Sequence, residues 1–192
     1  SVWPNASHAE ETIRLARKAG NELLVHLPMQ PRGWPDVDPG PEALFTDMTA
    51  EQIRATVRSN LDKVHGAAGV NNHMGSRFTE YAPGMAAALA VIKGDGLYFL
   101  DSMTTGKSAG RGAAARVGIP FYERDIFLDN VKDVTAILHQ LNKATAVARQ
   151  RGWAIAIGHP HRTTLEALRR WSRSGAGKVR VVPVSSLPPV SS

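Results

Sequence analysis

The chain has 192 residues, of which 43% are hydrophobic and 21% are charged, and it contains no cysteine. This length suits one domain with a substantial core, and this balance excludes a chain that is disordered throughout. Because cysteine is absent, the chain forms neither a disulfide nor a thiolate zinc site, so any metal must be held by His, Asp or Glu.

The net charge of +6 raises nucleic acid as a partner. The basic residues are scattered over the polar faces and ends of separate predicted helices, among acids such as Glu10, Glu51 and Glu166. No Gly-rich phosphate loop or aromatic RNA motif accompanies them. We therefore expect solvated faces and no nucleic-acid partner. No apolar run approaches the roughly 20 residues that span a bilayer, so no transmembrane segment is predicted.

The predicted elements alternate between helix and strand from the start of the chain. Ser7 and Glu10 have the spacing of a capping box and predict a helix, and the apolar run 23–25 is a strand that ends at His26. Residues 30–48 are rich in Pro, Gly and Asp and predict a long irregular loop. Loops of that length in compact domains are usually functional.

The same alternation continues to the end of the chain. A second helix begins at Thr49, with Gln52 at capping-box spacing. Later helices are predicted near 83–93, 107–117 and 130–151 and from Thr163, and later strands at 68–70, 97–100, 119–122, 154–157 and 179–184. Several of these strands are apolar throughout, which is typical of a parallel sheet covered by helices. The predicted fold class is therefore α/β.

A polar side chain follows each of five successive predicted strands. In chain order these are His26, His73, Asp101, Asp125 and His159. Sites of α/β barrels and open sheets are built at this carboxyl edge, and five such residues favour a functional site over packing. Two imidazoles and one carboxylate would hold zinc and leave a position open for water, and a further Asp or His could act as acid or base.

No short ligand motif such as His-x-x-x-His is present, so spacing alone does not establish metal binding. The other histidines lie on predicted helices or loops. We expect these four to be bystanders: His8, His65, His139 and His161.

Several motifs resemble the divergent polysaccharide deacetylases, which are relatives of the NodB-type carbohydrate esterases. The resemblance runs from about Pro4 to Leu187 and is most specific in Asn-Asn-His-Met-Gly-Ser and Gly-His-Pro. The motifs that carry it are His-Leu-Pro-Met-Gln-Pro (26–31), Asp-Pro-Gly-Pro (38–41), Gly-Val-Asn-Asn-His-Met-Gly-Ser-Arg (69–77), Phe-Leu-Asp-Ser-Met-Thr-Thr (99–105), Arg-Asp-Ile-Phe-Leu-Asp-Asn (124–130) and Ala-Ile-Ala-Ile-Gly-His-Pro (154–160).

The resemblance implies an incomplete (β/α) barrel with mostly parallel strands and a hydrolase that removes acetyl groups from amino sugars. In that chemistry a metal activates water, an Asp accepts a proton and a His protonates the leaving amine. Carried over by position, it implies metal ligands at His26 and His73, catalytic residues at Asp101, Asp125 and His159, and substrate-binding residues at Asn72, Arg77 and Arg124.

The chain departs from the family pattern at its start. Family members open with a strand that ends in an Asp-Asp pair, whereas this chain begins at Ser1. We expect the first strand or strands to be missing, with the third ligand of a divalent metal, zinc, supplied by that absent pair. The remainder is predicted as one truncated domain over 1–187 with a disordered tail at 188–192. Its open sheet edge would favour self-association.

The resulting interpretation is a metal-dependent deacetylase or amidase that acts on an N-acetylated cell-envelope polysaccharide or a peptidoglycan-type glycan. Such a protein is expected in the periplasm or secreted, and the truncated form need not be active. The loop at 30–48 is expected to shape the cleft, through Trp34 and Asp36. The alternative is a non-catalytic envelope protein that binds a glycan or a partner. A nucleic-acid binder rests on charge alone.

Overall fold

The computed structural model describes residues 1–173 and 179–190. In this part of the chain, six α-helices and six strands follow one another with two short 3-10 helices, Phe78–Glu80 and Val184–Ser186. The strands are β1 (Leu24–Met29), β2 (Gly69–Met74), β3 (Tyr98–Asp101), β4 (Phe121–Glu123), β5 (Ile126–Phe127) and β6 (Ala156–Ile157). The helices are α1 (Ala9–Lys18), α2 (Ala50–Asp62), α3 (Ala82–Gly94), α4 (Gly110–Val117), α5 (Val134–Arg151) and α6 (Arg162–Arg173).

The chain divides into two compact units. The first contains Ser1–Glu123 and the residues from Pro188 onward, and the second contains Arg124–Leu187. The first unit holds a four-stranded parallel sheet in the order β1-β2-β3-β4. The second holds the parallel pair β5-β6 with α5 and α6. The predicted α/β class with parallel strands is therefore confirmed, while closure into a barrel stays a prediction.

The sheet of the first unit is buried because its strands are apolar and helices supply the rest of the core. Val25, Leu27 and Met29 of β1 are fully buried, as is Phe99 of β3. Burial of such side chains is worth about 1.5–3 kcal/mol each relative to exposure. Beside β1, Val2 forms a parallel bridge with Val25, since the Val2 N–H donates to Leu24 O and the His26 N–H donates to Val2 O.

The two predicted capping boxes have different outcomes. At α2 the box is confirmed, because the Thr49 hydroxyl accepts from the Gln52 N–H and the Gln52 side chain accepts from the Thr49 N–H. At α1 the box is wrong, because the helix begins at Ala9 after His8 and that end has no side-chain cap. A capping box needs its first residue directly at the helix boundary, and Ser7 lies one position too early.

The second unit has its own small core. Leu128, Ile137, Leu141 and Ala167 are buried together, with Trp171 packed against them. The Asp133 side chain caps α5 by accepting from the Ala136 N–H. The unit therefore buries α5 against α6 independently of the larger sheet.

The strand predicted at 179–184 is wrong. Residues 179–183 form no strand, and a 3-10 helix begins at Val184. Val181 is exposed, and Pro183 has no N–H to donate to a ladder. Of the tail predicted at 188–192, residues 191–192 lie outside the described residues, and the Val190 N–H donates to Phe121 O. No helix in the described ranges has the length and apolarity to cross a bilayer.

Candidate functional site

His26 and His73 meet on the two neighbouring strands β1 and β2. In the register of this pair, His26 lies opposite Asn71 and Pro28 lies opposite His73. His73 Nδ1 is 3.1 Å from His26 Nε2, and the two ring centroids are 4.8 Å apart at an interplanar angle of 61°. Both rings are half-buried. The structure thus brings together the two residues that the sequence predicted as metal ligands.

A buried polar network determines which nitrogen of His26 carries the proton. The Ser102 hydroxyl donates to Asn72 O at 2.8 Å, so its oxygen accepts from Asn71 Nδ2 at 3.1 Å. That contact orients the Asn71 amide with Oδ1 toward His26 Nδ1, 3.1 Å away. Since an amide oxygen can only accept, His26 Nδ1 is the donor. His26 therefore presents the Nε2 lone pair toward His73.

This geometry fits a metal that takes imidazole ligands. Zinc binds nitrogen at about 2.0–2.1 Å in tetrahedral sites, which places two ligand nitrogens about 3.3 Å apart. His26 Nε2 and His73 Nδ1 are separated by 3.1 Å. Metal-binding histidines usually donate their other N–H to an acceptor that fixes the ring, as His26 does to Asn71. The distance between the two nitrogens thus matches that of two ligands of one ion, and metal binding by this pair stays a prediction.

Trp3 packs beside His73, and the loop at 30–48 packs on Trp3. The Trp3 and His73 ring centroids are 6.1 Å apart. Gly40 has a φ of +89°, and a Cβ there would lie 2.5 Å from Trp3 Cζ2. Only glycine tolerates both the backbone conformation and the close approach. Gly40 therefore allows the loop at 30–48 to pack closely against the Trp3 ring, which lies beside His73.

Asp101 and Asn72 were predicted as a catalytic and a substrate-binding residue, and both are buried at 1% exposure. Asp101 Oδ1 accepts from the Met103 N–H at 2.7 Å and Oδ2 accepts from Ser108 Oγ at 2.6 Å. Asn72 Oδ1 accepts from the Ser102 N–H and Nδ2 donates to Met74 O. These contacts fix the backbone where β2 and β3 end. The chemical roles of both residues stay predictions.

The structure places Arg77 and Arg124 in different settings. Arg77 is exposed and precedes the 3-10 helix Phe78–Glu80, and its N–H donates to Gln30 O. Arg124, in the second unit, holds its guanidinium 5.0 Å from the centroid of the Phe127 ring. Their roles in substrate binding stay predictions.

Asp125 lies between β4 and β5 and is held by two donors. Arg151 Nη2 donates to its Oδ2 at 2.6 Å, and the Ile155 N–H donates to the same oxygen at 2.7 Å. The Arg151 guanidinium also lies 3.9 Å from the Trp153 ring centroid. The carboxylate therefore ties the start of β5 to α5 and to the residue before β6. Its catalytic role stays a prediction.

His159 is held by Asp129, which the sequence interpretation missed. Asp129 is buried at 3% exposure. Its Oδ2 accepts from the His159 N–H at 2.5 Å and from Thr164 Oγ1 at 2.8 Å, and its Oδ1 faces His159 Nδ1 at 3.0 Å. Because Asp129 accepts the Nδ1 proton, His159 keeps Nε2 for other chemistry.

The electrostatic setting keeps Asp129 ionised. Burial by itself raises the pKa of this carboxyl, but the hydrogen bonds from the His159 N–H, the Thr164 hydroxyl and the His159 ring outweigh burial and hold the pKa below its ordinary value. A missed strand explains why Asp129 was overlooked: the predicted strand ended before Asp125, whereas β5 continues to Phe127 and Asp129 follows it.

His161 lies close to Asp129 and His159, although it was expected to be a bystander. One ligand atom from each of Asp129, His159 and His161 lies within 4.8 Å of the others. The His159 and His161 ring centroids are 5.6 Å apart. Within the described residues, these three side chains form a group that could hold a metal ion.

Comparison with known proteins places the chain in a family. It is 35% identical over 187 residues to the uncharacterized protein YibQ of Escherichia coli and 33% identical over 187 residues to an uncharacterized protein of Haemophilus influenzae. These alignments cover 97% of the chain but only 58% and 66% of the two relatives. The crystal structure of an uncharacterized protein from Agrobacterium tumefaciens superposes with a TM-score of 0.91 at 27% identity, over 95% of this chain and 75% of that one. A family model described as Divergent polysaccharide deacetylase matches residues 1–188, and the chain belongs to that family.

Proposed function

We propose that this protein is a metal-dependent deacetylase or amidase that acts on an N-acetylated cell-envelope glycan. Family membership supports the substrate class and the reaction. The observation that carries the proposal is the pair of His26 Nε2 and His73 Nδ1, 3.1 Å apart on neighbouring strands. An envelope glycan as substrate would be met in the periplasm or outside the cell, where we propose that the protein acts.

His26 and His73 would hold the ion, which imidazole ligation suggests is zinc. When bound, such a metal lowers the pKa of a coordinated water to about 7 and so supplies hydroxide at neutral pH. Asn71 keeps His26 in the tautomer that ligation needs, and Ser102 keeps Asn71 in its orientation. The chain therefore supplies two ligands, His26 and His73, whose rings are already oriented before an ion binds.

His159 is proposed as the acid that protonates the leaving amine. Asp129 accepts from His159 Nδ1, and this arrangement leaves Nε2 to exchange the proton. The ionised carboxylate also stabilises the protonated ring, as a buried Asp does in other His-Asp pairs. The Phe127 ring packs beside His159 with centroids 5.4 Å apart, which restricts the positions of the imidazole.

An aromatic surface in the loop at 30–48 suits a sugar ring. Trp34 is 42% exposed, and its ring lies 4.9 Å from Phe45, which supports it from one side. Exposed Trp is an amphipathic contact surface with little conformational entropy to lose. Arg77, also exposed, would add a charged contact for a polar glycan substituent.

A second candidate function is glycan binding without hydrolysis. Asp101 and Asp125, the two carboxylates predicted to act in catalysis, each accept two hydrogen bonds from neighbouring groups. A general base needs a lone pair that can reach the substrate. These contacts favour structural roles for both carboxylates, as expected of a protein that binds a glycan without turning it over.

Release of acetate from N-acetylated chito-oligosaccharides and from peptidoglycan, measured with added Zn²⁺, tests the proposal. We expect His159→Gln to slow release by about 10²- to 10⁴-fold, the usual contribution of a general acid. His73→Ala should abolish release, whereas His139→Gln, on the exposed face of α5, should not change it. Glycan binding without acetate release by any version would instead support the non-catalytic function.

A further inference from the structure

We propose that Asp129, His159 and His161 form a second divalent-metal site, and that an ion bound there stops His159 from acting as a proton donor. The site is an inhibitory zinc-type site built from other residues than the His26–His73 pair. Its inhibitory effect rests on the proposed function, whereas its ability to bind metal does not.

The two oxygens of Asp129 are used differently. Oδ2 accepts from the His159 N–H and from Thr164 Oγ1, and these two bonds fix the carboxylate. Oδ1 has His159 Nδ1 as its partner, 3.0 Å away. A metal can replace the proton between these two atoms, because ligand atoms of one tetrahedral ion are about 3.3 Å apart. Asp129 Oδ1 is thus positioned to act as an oxygen ligand.

The backbone brings the second imidazole to the same place. His159, Pro160 and His161 form a tight turn in which the His161 N–H donates to His159 O at 2.8 Å. Pro160 fixes its own φ, and α6 begins at Arg162, directly after the turn. A Cβ at Gly158 would lie 3.3 Å from Asp129 Oδ2, so glycine allows the turn to approach the carboxylate closely. The ligand cluster is therefore set by rigid chain geometry.

Charge and access favour a cation at this point. Asp129 is a buried, ionised carboxylate whose ion-pair partner His159 is charged only when protonated. The His159 side chain is 47% exposed and His161 is half-buried, so an ion can reach the ligands from solvent. Two imidazoles and one carboxylate select zinc-type ions over magnesium or calcium, which prefer oxygen ligands.

Coordination and proton donation exclude one another at His159. To donate, the ring must carry protons on both nitrogens and give up the one on Nε2. A metal on Nε2 occupies the lone pair that would take this proton, and a metal on Nδ1 leaves a neutral ring whose Nε2–H is a much weaker acid than the imidazolium. Bound zinc at this cluster would therefore remove the proposed acid.

Binding is tested by calorimetric titration of Zn²⁺ into a His26→Ala/His73→Ala protein, which lacks the other site. We expect about one equivalent of Zn²⁺ to bind, and the affinity to fall by at least about tenfold when His161→Gln is added. His139→Gln, an exposed histidine of the same unit, is the matched control and should change nothing. In parallel NMR spectra the ring signals of His159 and His161 should shift with Zn²⁺.

No Zn²⁺ binding by the double variant, or equal binding with and without His161→Gln, would overturn the site. Inhibition is tested by acetate release: excess Zn²⁺ should slow the parent by at least about tenfold and leave His161→Gln unaffected. Equal inhibition of both proteins would overturn the inhibitory role. If neither protein releases acetate, the proposed function fails, while the titration still decides whether the second site binds metal.

Discussion

Asn71 is the residue whose role is most specific at the scale of single side chains, because its Oδ1 decides where His26 carries a proton. We predict that Asn71→Leu lowers the Zn²⁺ affinity of the His26–His73 pair by about 10- to 100-fold, the usual cost of losing such a supporting contact. Calorimetric titration in the His161→Gln background, which weakens the second site, measures this change.

The control for Asn71 is Asn142→Leu, an exposed position on α5 where we expect no change. Ser102→Ala should have a smaller effect, because it removes the oxygen that orients the Asn71 amide but leaves the amide itself. Equal affinity in the parent and Asn71→Leu would show that the His26 tautomer does not depend on this network.

Asp129 gives the second prediction at this scale. In Asp129→Asn the amide oxygen can still accept from the His159 N–H and Thr164, so Nδ2 faces His159 Nδ1 and donates to it. We therefore expect the neutral His159 tautomer to switch from a proton on Nδ1 to a proton on Nε2. Nitrogen NMR of the imidazole reports this directly. An unchanged tautomer would contradict the assigned orientation of the pair.

At the scale of elements, the loop at 30–48 is anchored by Gly40. We predict that Gly40→Ala destabilises the fold by about 1–2 kcal/mol for its positive φ and by about 1–3 kcal/mol more for the contact with Trp3. Gly96→Ala is the matched control, because Gly96 has a φ of +74° and nothing within 4 Å of an added Cβ. Urea unfolding of both variants separates the cost of the positive φ from the cost of the contact with Trp3. Equal losses of stability in the two variants would contradict the close packing of Gly40 on Trp3.

Glu80 joins the same loop to the segment after β3. Its carboxylate accepts from Thr105 Oγ1 at 2.6 Å and from Arg32 Nη2 at 2.6 and 2.8 Å, and these hydrogen bonds hold its pKa below the ordinary value. A lowered pKa in the folded state contributes stability above the unfolded pKa of about 4.3, and that contribution is lost as the pH falls through the folded value.

Glu80→Gln should therefore have a lower free energy of unfolding than the parent at pH 7. The difference between the two proteins should shrink as the pH falls from about 5 to 3. Urea unfolding at several pH values measures the difference. Glu10→Gln, which removes an exposed carboxylate from α1, is the control and should not reproduce this trend. A pH-independent difference for Glu80→Gln would contradict the ion-pair account.

The elements also show what sequence patterns can and cannot predict. Strand positions of the main sheet were predictable in part, because apolar residues begin β1 to β3, but β1 and β2 continue through His26 and His73, where the predicted strands had already ended. The meeting of His26 with His73 followed from adjacent parallel strands. The two-residue strand β5 was missed, since two residues show no period. The run 179–184 was taken as a strand because Val is common in strands, although Pro183 weakens a ladder.

The same limits explain what was missed around the candidate site. Asp101 was predicted as catalytic because it ends a strand, and that role stays a prediction; its bonds to Met103 and Ser108 depend on the turn that follows, which residue patterns do not encode. Asp129 was overlooked because its contact with His159 joins positions 30 residues apart in the chain, and His161 was taken as a bystander because it lies in a predicted loop. A carboxylate two residues beyond an apolar Ile-Phe pair was the signal available for Asp129.

In the molecule as a whole, the residues of the two candidate sites belong to different units. The first unit carries the His26–His73 pair, and the second carries Asp129, His159 and His161. Both belong to a chain of the divergent polysaccharide deacetylase family. The chain spans 58% and 66% of the lengths of two curated relatives. The activity of a whole protein of this family is therefore a separate question from metal binding by these residues, and the two need separate experiments.

His26 and His73 are proposed to bind one metal ion together. Zn²⁺ titration of His161→Gln, with and without His73→Ala, isolates this pair because both proteins lack one ligand of the second site. We expect about one equivalent to bind to the first protein and an affinity at least about tenfold lower in the second. Equal binding by both proteins, or no binding by either, would contradict it.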